Sequence, residues 1–128
     1  MSSKSSISAG YIIRKLLSDS EEVKNHTRKI YPVVVDDARL PYIVYRRSGM
    51  KQETVKTGRG ADTILMQVIC YTADYDSGVA LAEAVRDAID NQQGEFNGLV
   101  MRSCYLSDCT ETWLNDAYAQ NLIFTIKL

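Results

Sequence analysis

The interval between apolar residues changes along the chain, and each change marks an element. Over residues 7–17, Ile7, Tyr11, Ile13, Leu16 and Leu17 recur at the spacing of one helix face, with Ser5, Ser6 or Ser8 placed to cap it. Residues 18–24 (SDSEEVK) predict a further short turn capped by Ser20, with Glu21 and Glu22 where a helix start favours negative charge. The period then shortens to two. Residues 29–35 (KIYPVVV) are β-prone, but Pro32 has no N–H to donate, which confines them to an edge or to a strand's beginning. Pro41 opens a stronger strand over 42–48. Residues 49–60 (GMKQETVKTGRG) are polar and basic, with glycine at both ends, and predict a long loop between two antiparallel strands. In the strand that follows, 62–72, Ile64, Met66, Val68 and Cys70 share one face. Leu65, Gln67, Ile69 and Tyr71 make the other half apolar, the pattern of a central strand covered on both sides.

Asp76 and Ser77 are the expected caps of a longer helix reaching to about Asn91. Leu81, Ala84, Val85, Ala88 and Ile89 form its inner stripe, and Glu83, Arg86, Asp87 and Asp90 its wet side. Gly94 is the expected stop and Asn97-Gly98 a turn. Strands follow over 99–107 and 118–128. The last sets Leu122, Phe124, Ile126 and Leu128 against Asn121, Thr125 and Lys127. The order α-β-β-β-α-β-β, with long neighbouring strands joined without helices, predicts an α+β fold: a largely antiparallel sheet of four to five strands packed by two helices.

The chain's 128 residues fit one domain, expected over 7–128 after a flexible start at 1–6. No apolar run approaches the length of a membrane span, and the Ser-rich start lacks the apolar core of a signal peptide. Charge changes the picture more than composition does. The net charge of −1 hides a split: residues 1–72 carry 12 Lys and Arg against 7 Asp and Glu, and residues 73–128 carry 3 against 9. The densest basic run is Arg39, Arg46, Arg47, Lys51, Lys56 and Arg59. Arg46 and Arg47 point to opposite faces of their strand, so only Lys51, Lys56 and Arg59 can reach out together.

Candidate chemistry is sparse. His26 is the sole histidine and lies in a polar connection. Cys70, Cys104 and Cys109 form no C-x-x-C pair and read as reduced thiols. Cys104 and Cys109, five apart in or just past a strand, are expected on opposite faces, so no metal site is predicted. Residues 57–60 (TGRG) lack the lysine and hydroxyl of a phosphate loop. Asp36-Asp37 and Asp74/Asp76 are explained by turns and capping. No nucleophile, base and acid come together, so the chain is expected to be no enzyme and to use no cofactor.

Five blocks in order, 28–32 (RKIYP), 40–45 (LPYIVY), 66–71 (MQVICY), 80–89 (ALAEAVRDAI) and 121–126 (NLIFTI), resemble the small tail-completion proteins of long-tailed bacteriophages and prophages, also described as tail terminators or tail-to-head joining proteins. The resemblance covers roughly residues 7–128 and rests on the order and spacing of the blocks. It implies a non-enzymatic α+β subunit that assembles as a ring, usually of six, at the head-proximal end of the tail tube. The implied partners are sister subunits, the tail-tube protein and head-completion proteins, with DNA passing through the lumen and no membrane. Assembly in the host cytoplasm and residence in the virion neck follow from the same resemblance. The Ser-rich start and residues 108–117, with Trp113, match none of the blocks.

A ring of more than two subunits uses a heterologous contact, in which one patch meets a different patch on the neighbour. The charge split supplies two such patches. Lys51, Lys56 and Arg59 are the expected contact loop, toward a sister subunit, a partner or DNA in the lumen. Glu83, Asp87 and Asp90 are the expected acidic counter-surface. Trp113 is expected to plug one end of the core or, second, to anchor a partner at an interface. Two other functions fit the same sequence: a small ligand-binding or regulatory α+β module, and another minor head or tail morphogenesis protein.

Overall fold

The computed structural model describes residues 5–33, 37–55, 58–96 and 98–128, the side chains of 53–61 apart. Ser5 accepts a hydrogen bond from the Ile7 N–H and starts one 3-10 turn, Ser6–Ala9, that runs straight into α1 (Gly10–Asp19). Ile12, Ile13 and Leu17 bury the inner face of α1. Ser20 ends this helix and caps α2 (Glu21–His26), its Oγ 3.3 Å from the Val23 N–H. The buried Thr27 then donates to the Pro41 carbonyl at 2.9 Å, tying the helices to the sheet.

The strands are β1 (Ile30–Pro32), β2 (Tyr42–Val55), β3 (Gly58–Thr72), β4 (Gly94–Phe96), β5 (Leu99–Met101), β6 (Ser103–Leu114) and β7 (Ala117–Lys127), with α3 (Tyr75–Ile89) between β3 and β4. Five of them form one sheet in the order β1-β2-β3-β7-β6, and β4 and β5 form a separate hairpin. All pairings in the large sheet are antiparallel except β1 with β2. Pro32 sits at that edge, where a missing N–H costs no ladder bond.

The expected loop at 49–60 is instead a β-hairpin arm. The β2–β3 ladder continues through Met50↔Ile64, Gln52↔Asp62 and Thr54↔Arg59 to Val55↔Gly58, with register shifts between Arg47 and Gly49 and between Gln52 and Thr54. Those shifts break the alternation that would have revealed a strand, and backbone pairing replaces the apolar face. Similarly, the expected strand 99–107 divides at Arg102: β5 pairs with β4, and β6 leaves to pair with β7. The α3 cap is Asp74, which accepts from the Ser77 N–H at 3.1 Å, rather than Asp76 or Ser77. The helix ends before Gly94: Asp90 is the C-cap, and Asn91 follows in the left-handed region at φ 62°.

Helices cover one face of the sheet only. Ile12, Ile13, Leu17, Leu81, Val85 and Ile89 pack on Ile43, Ile64, Met66, Val68, Phe124 and Ile126 in a single core. The reverse face of β3 has no helix over it, and Leu65 is 39% exposed there, so the strand is central in the sheet but covered on one side.

Candidate interaction surfaces

Two of the three basic positions expected to act together lie along the arm. Lys51 is exposed on β2 opposite Thr63, Arg59 stands at the register position opposite Thr54, and Lys56 lies outside the described residues. At the arm's root, Arg47 donates to the Ile7 carbonyl at 2.7 Å. Arg46 donates through Nε to Gln67, whose amide donates in turn to Asn121 at 2.9 Å, a polar chain across three strands of the helix-free face.

The expected acidic counter-surface is not one set of free carboxylates. Glu83 and Asp87 are exposed on α3. Asp90 accepts from the Leu106 N–H at 2.9 Å and pairs with Arg86 at 3.2 Å, its side chain only 16% exposed. It fastens the end of α3 to β6.

Trp113 is on the surface, 55% exposed, rather than in the core. The segment the sequence left unassigned is the second half of β6, joined to β7 by Asn115-Asp116. Both turn residues are left-handed, at φ 52° and 61°, the conformation a two-residue hairpin demands. That turn places Trp113 opposite Tyr118 and Glu111 opposite Gln120. The Trp113 ring meets Tyr118 edge-on at 4.7 Å, and Tyr118 meets Tyr75 at 6.0 Å. Glu111 accepts from the Gln120 amide at 2.8 Å and from the Tyr75 hydroxyl at 2.9 Å. These two hydrogen bonds hold the Glu111 carboxyl below its ordinary range, and the same carboxylate raises the Tyr75 hydroxyl. A shallow pocket of about 250 Å³ lies among these side chains. Glu111 and Gln120 were not singled out from sequence. The signal was the symmetry of residues 111–120 about Asn115-Asp116, legible only once that dipeptide is taken as a turn.

The thiols offer little nucleophilicity. Burial pushes Cys104 up to about 12 and Cys70 higher still. The bulge at Ser107 overturns one expectation: Cys104 lies opposite Ile126 and Cys109 opposite Leu122, so the two share the helix-facing side. Cys104 is buried and Cys109 exposed. His26 is exposed at the end of α2. Among the described residues, no three His, Cys, Asp or Glu side chains are grouped to hold a metal. A groove of about 490 Å³ lies open on the helix-free face between Leu40, Tyr42, Ile69, Tyr71 and Leu114.

The surface is therefore one of exposed aromatics, an acidic strand and a projecting basic arm, a set suited to contact with other macromolecules. The family model described as tail completion protein gp17 matches residues 12–126. The chain belongs to that family. It is a structural protein of phage-type tails. A solved structure of the virion of a native gene transfer agent particle contains a chain of the same fold, with a TM-score of 0.74 at 17% identity over 90% of both chains. No curated protein matches the sequence.

Proposed function

We propose that this tail completion protein forms a ring at the head-proximal end of the tail tube in the virion neck, ends tube growth and presents a surface to the head-completion proteins. The family match carries the reading, because it spans nearly the whole fold, from α1 to the end of β7. Geometry supports it. A flat two-layer subunit with a basic arm at one end and an acidic, aromatic hairpin at the other suits a head-to-tail contact between sister subunits. The partners in this reading are sister subunits, six to the ring, the tail-tube protein and head-closure proteins, with DNA crossing the lumen. Lys51, Lys56 and Arg59 reach a neighbouring subunit or line that lumen.

The experiment adds purified protein to tail tubes that lack it and images them. Caps on one end only are expected; uncapped tubes, or binding along the tube wall, would refute the reading. Reversing Lys51, Lys56 and Arg59 to Glu is expected to abolish capping with an unchanged melting temperature. Capping at the wild-type level by that variant removes the arm from the contact.

A further inference from the structure

The sheet has two long free edges that differ in charge. Among the described residues, β1 covers β2 only at Ile43–Tyr45, so the β2 edge is open from Arg47 onward. On the far side, the first half of β6 is closed off. Asn91 donates to the Cys104 carbonyl at 2.8 Å, Asp90 accepts from Leu106 and Asp108 Oδ1 accepts from the Cys109 N–H at 2.8 Å, leaving the edge open from Thr110 to Leu114. The open stretch of β2 begins with Arg47 and Lys51. It also holds Glu53, so its sum is positive but the stretch is not purely basic; β6 carries Asp108 just before its open stretch and Glu111 within it, with no basic residue.

We propose that sister subunits join by continuing the sheet, the open edge of β2 in one copy pairing with the open edge of β6 in the next. This deepens the ring reading above and rests on it. Unpaired strand edges are templates for pairing, and natural proteins guard them with charge. Here the guards are of opposite sign. Two β2 edges repel, two β6 edges repel, and only β2 with β6 is complementary, which excludes a two-fold dimer and selects a head-to-tail contact. The negative field at the β6 edge is corroborated at Cys109. After burial, Asp108 and Glu111 raise its thiol, with Glu83 adding to them and Arg86, already paired to Asp90, opposing.

Topology fixes the geometry of the joint. Strands β2 and β6 run in opposite directions within one subunit, so a side-by-side continuation with helices on the same face makes the new pair antiparallel. The two open stretches are offset along the strands. Glu111 is level with Gln120 of β7, whereas Lys51 is level, through Thr63, with Lys127. Setting Met50, level through Ile64 with Ile126, opposite Glu111 slides the next copy by about six residues, roughly 20 Å, across five strands spanning roughly 24 Å. The resulting tilt of about 40° is that of sheets that close on themselves. With Met50 opposite Glu111, Arg47 comes onto the exposed Trp113 ring, a favourable cation–aromatic contact.

The test uses full-length chains on tail tubes, with the native Cys109 as one half of a crosslink. Single cysteines at Arg47, Met50 or Gln52 are introduced in a C109S background, and each variant is mixed with wild type under mild oxidation. Dimers are expected only in the mixtures and only when tubes are capped. Each cysteine variant alone gives none. R47E/K51E and D108K/E111K are each expected to weaken capping about tenfold or more, and the chain carrying all four changes to regain most of it. A native circular dichroism spectrum and a single cooperative melt exclude misfolding as the cause. Capped tubes with no mixed crosslink from any of the three positions, or a dominant Cys109–Cys109 link, overturn the edge pairing and leave the functional reading intact. Absence of rescue in the fourfold variant also overturns it. Tubes left uncapped by wild type overturn both.

Discussion

Two hairpins extend from opposite ends of one sheet, and they are built in different ways. The β6–β7 hairpin closes on a two-residue turn and is laced by side chains: Trp113 on Tyr118, Gln120 and Tyr75 on Glu111. The β2–β3 arm carries two register shifts, and past Lys51 its ladder extends beyond the cover of β7. One hairpin is acidic, aromatic and tied to α3 through Tyr75. The other is basic and rooted by Arg47 on the first helical turn. The contrast teaches where the chain places specificity. Residues that stabilise the subunit are inside the helix-covered face, and the ends of the sheet are left to charge and aromatic surface.

The comparison breaks most completely if the floor shared by both hairpins is removed. Phe124 is fully buried, opposite Met66 on one side and Leu106 on the other. Phe124→Ala is expected to cost about 3–5 kcal/mol, much of a small domain's stability. A single cooperative melt at a strongly lowered temperature is expected by circular dichroism. Two separate transitions would show that the hairpins do not share one core.

A smaller change should act on one hairpin. Gly78, in the first turn of α3, lies so close to β3 that a Cβ there would stand 2.8 Å from Thr72 Oγ1 and 3.7 Å from Gln120 Cγ. The Thr72 hydroxyl donates to the Asp74 carbonyl at 2.8 Å and is not free to turn away. Gly78→Ala is expected to cost about 1–3 kcal/mol. Thr72→Ala should recover part of that cost, because it removes the atom in the way. Additive losses in the double variant would place the strain elsewhere.

The same contrast explains what the sequence disclosed. Alternation exposed the inner faces of β3 and β7, because Ile64, Met66, Val68, Leu122, Phe124 and Ile126 all serve one core. The α1 stripe and the Ser20 cap were legible for the same reason, each being a local rule with a local cause. The arm was not legible, since residues 49–60 are polar and basic with no apolar alternation to read, and its bulges scramble what remains. The cysteine geometry failed on a single inserted residue, Ser107, which no composition rule anticipates. Trp113 was misjudged because apolar size alone argues for burial; its place depends on a turn whose left-handed residues are Asn and Asp rather than glycine. Asp90 looked like free surface charge because its partner, the Leu106 N–H, is 16 residues away.

The smallest expected effect separates the two hairpins by pH. In the folded chain, the hydrogen bonds from Gln120 and Tyr75 favour the ionised form of Glu111, so its folded pKa lies below the ordinary 4.5. The unfolded chain therefore takes up a proton first as pH falls. The stabilisation from this group is fully present above the ordinary value and is lost as pH drops through the lower folded value. On the β2–β3 arm, Asp62 accepts from the Ser6 hydroxyl and is unchanged by the test below. Asp74, also lowered by its hydrogen bond to Ser77, titrates in the same direction and is unchanged by the test below. Melting temperatures of wild type and Glu111→Gln are compared at pH 7 and pH 3. Glu111→Gln keeps the shape and removes the charge. It should melt slightly below wild type at pH 7, and the gap should narrow as pH falls below the ordinary 4.5, where the wild-type stabilisation from this carboxylate is progressively lost. An equal gap at both pH values would mean that Glu111 acts through packing and leave the acidic hairpin without its electrostatic tie to α3.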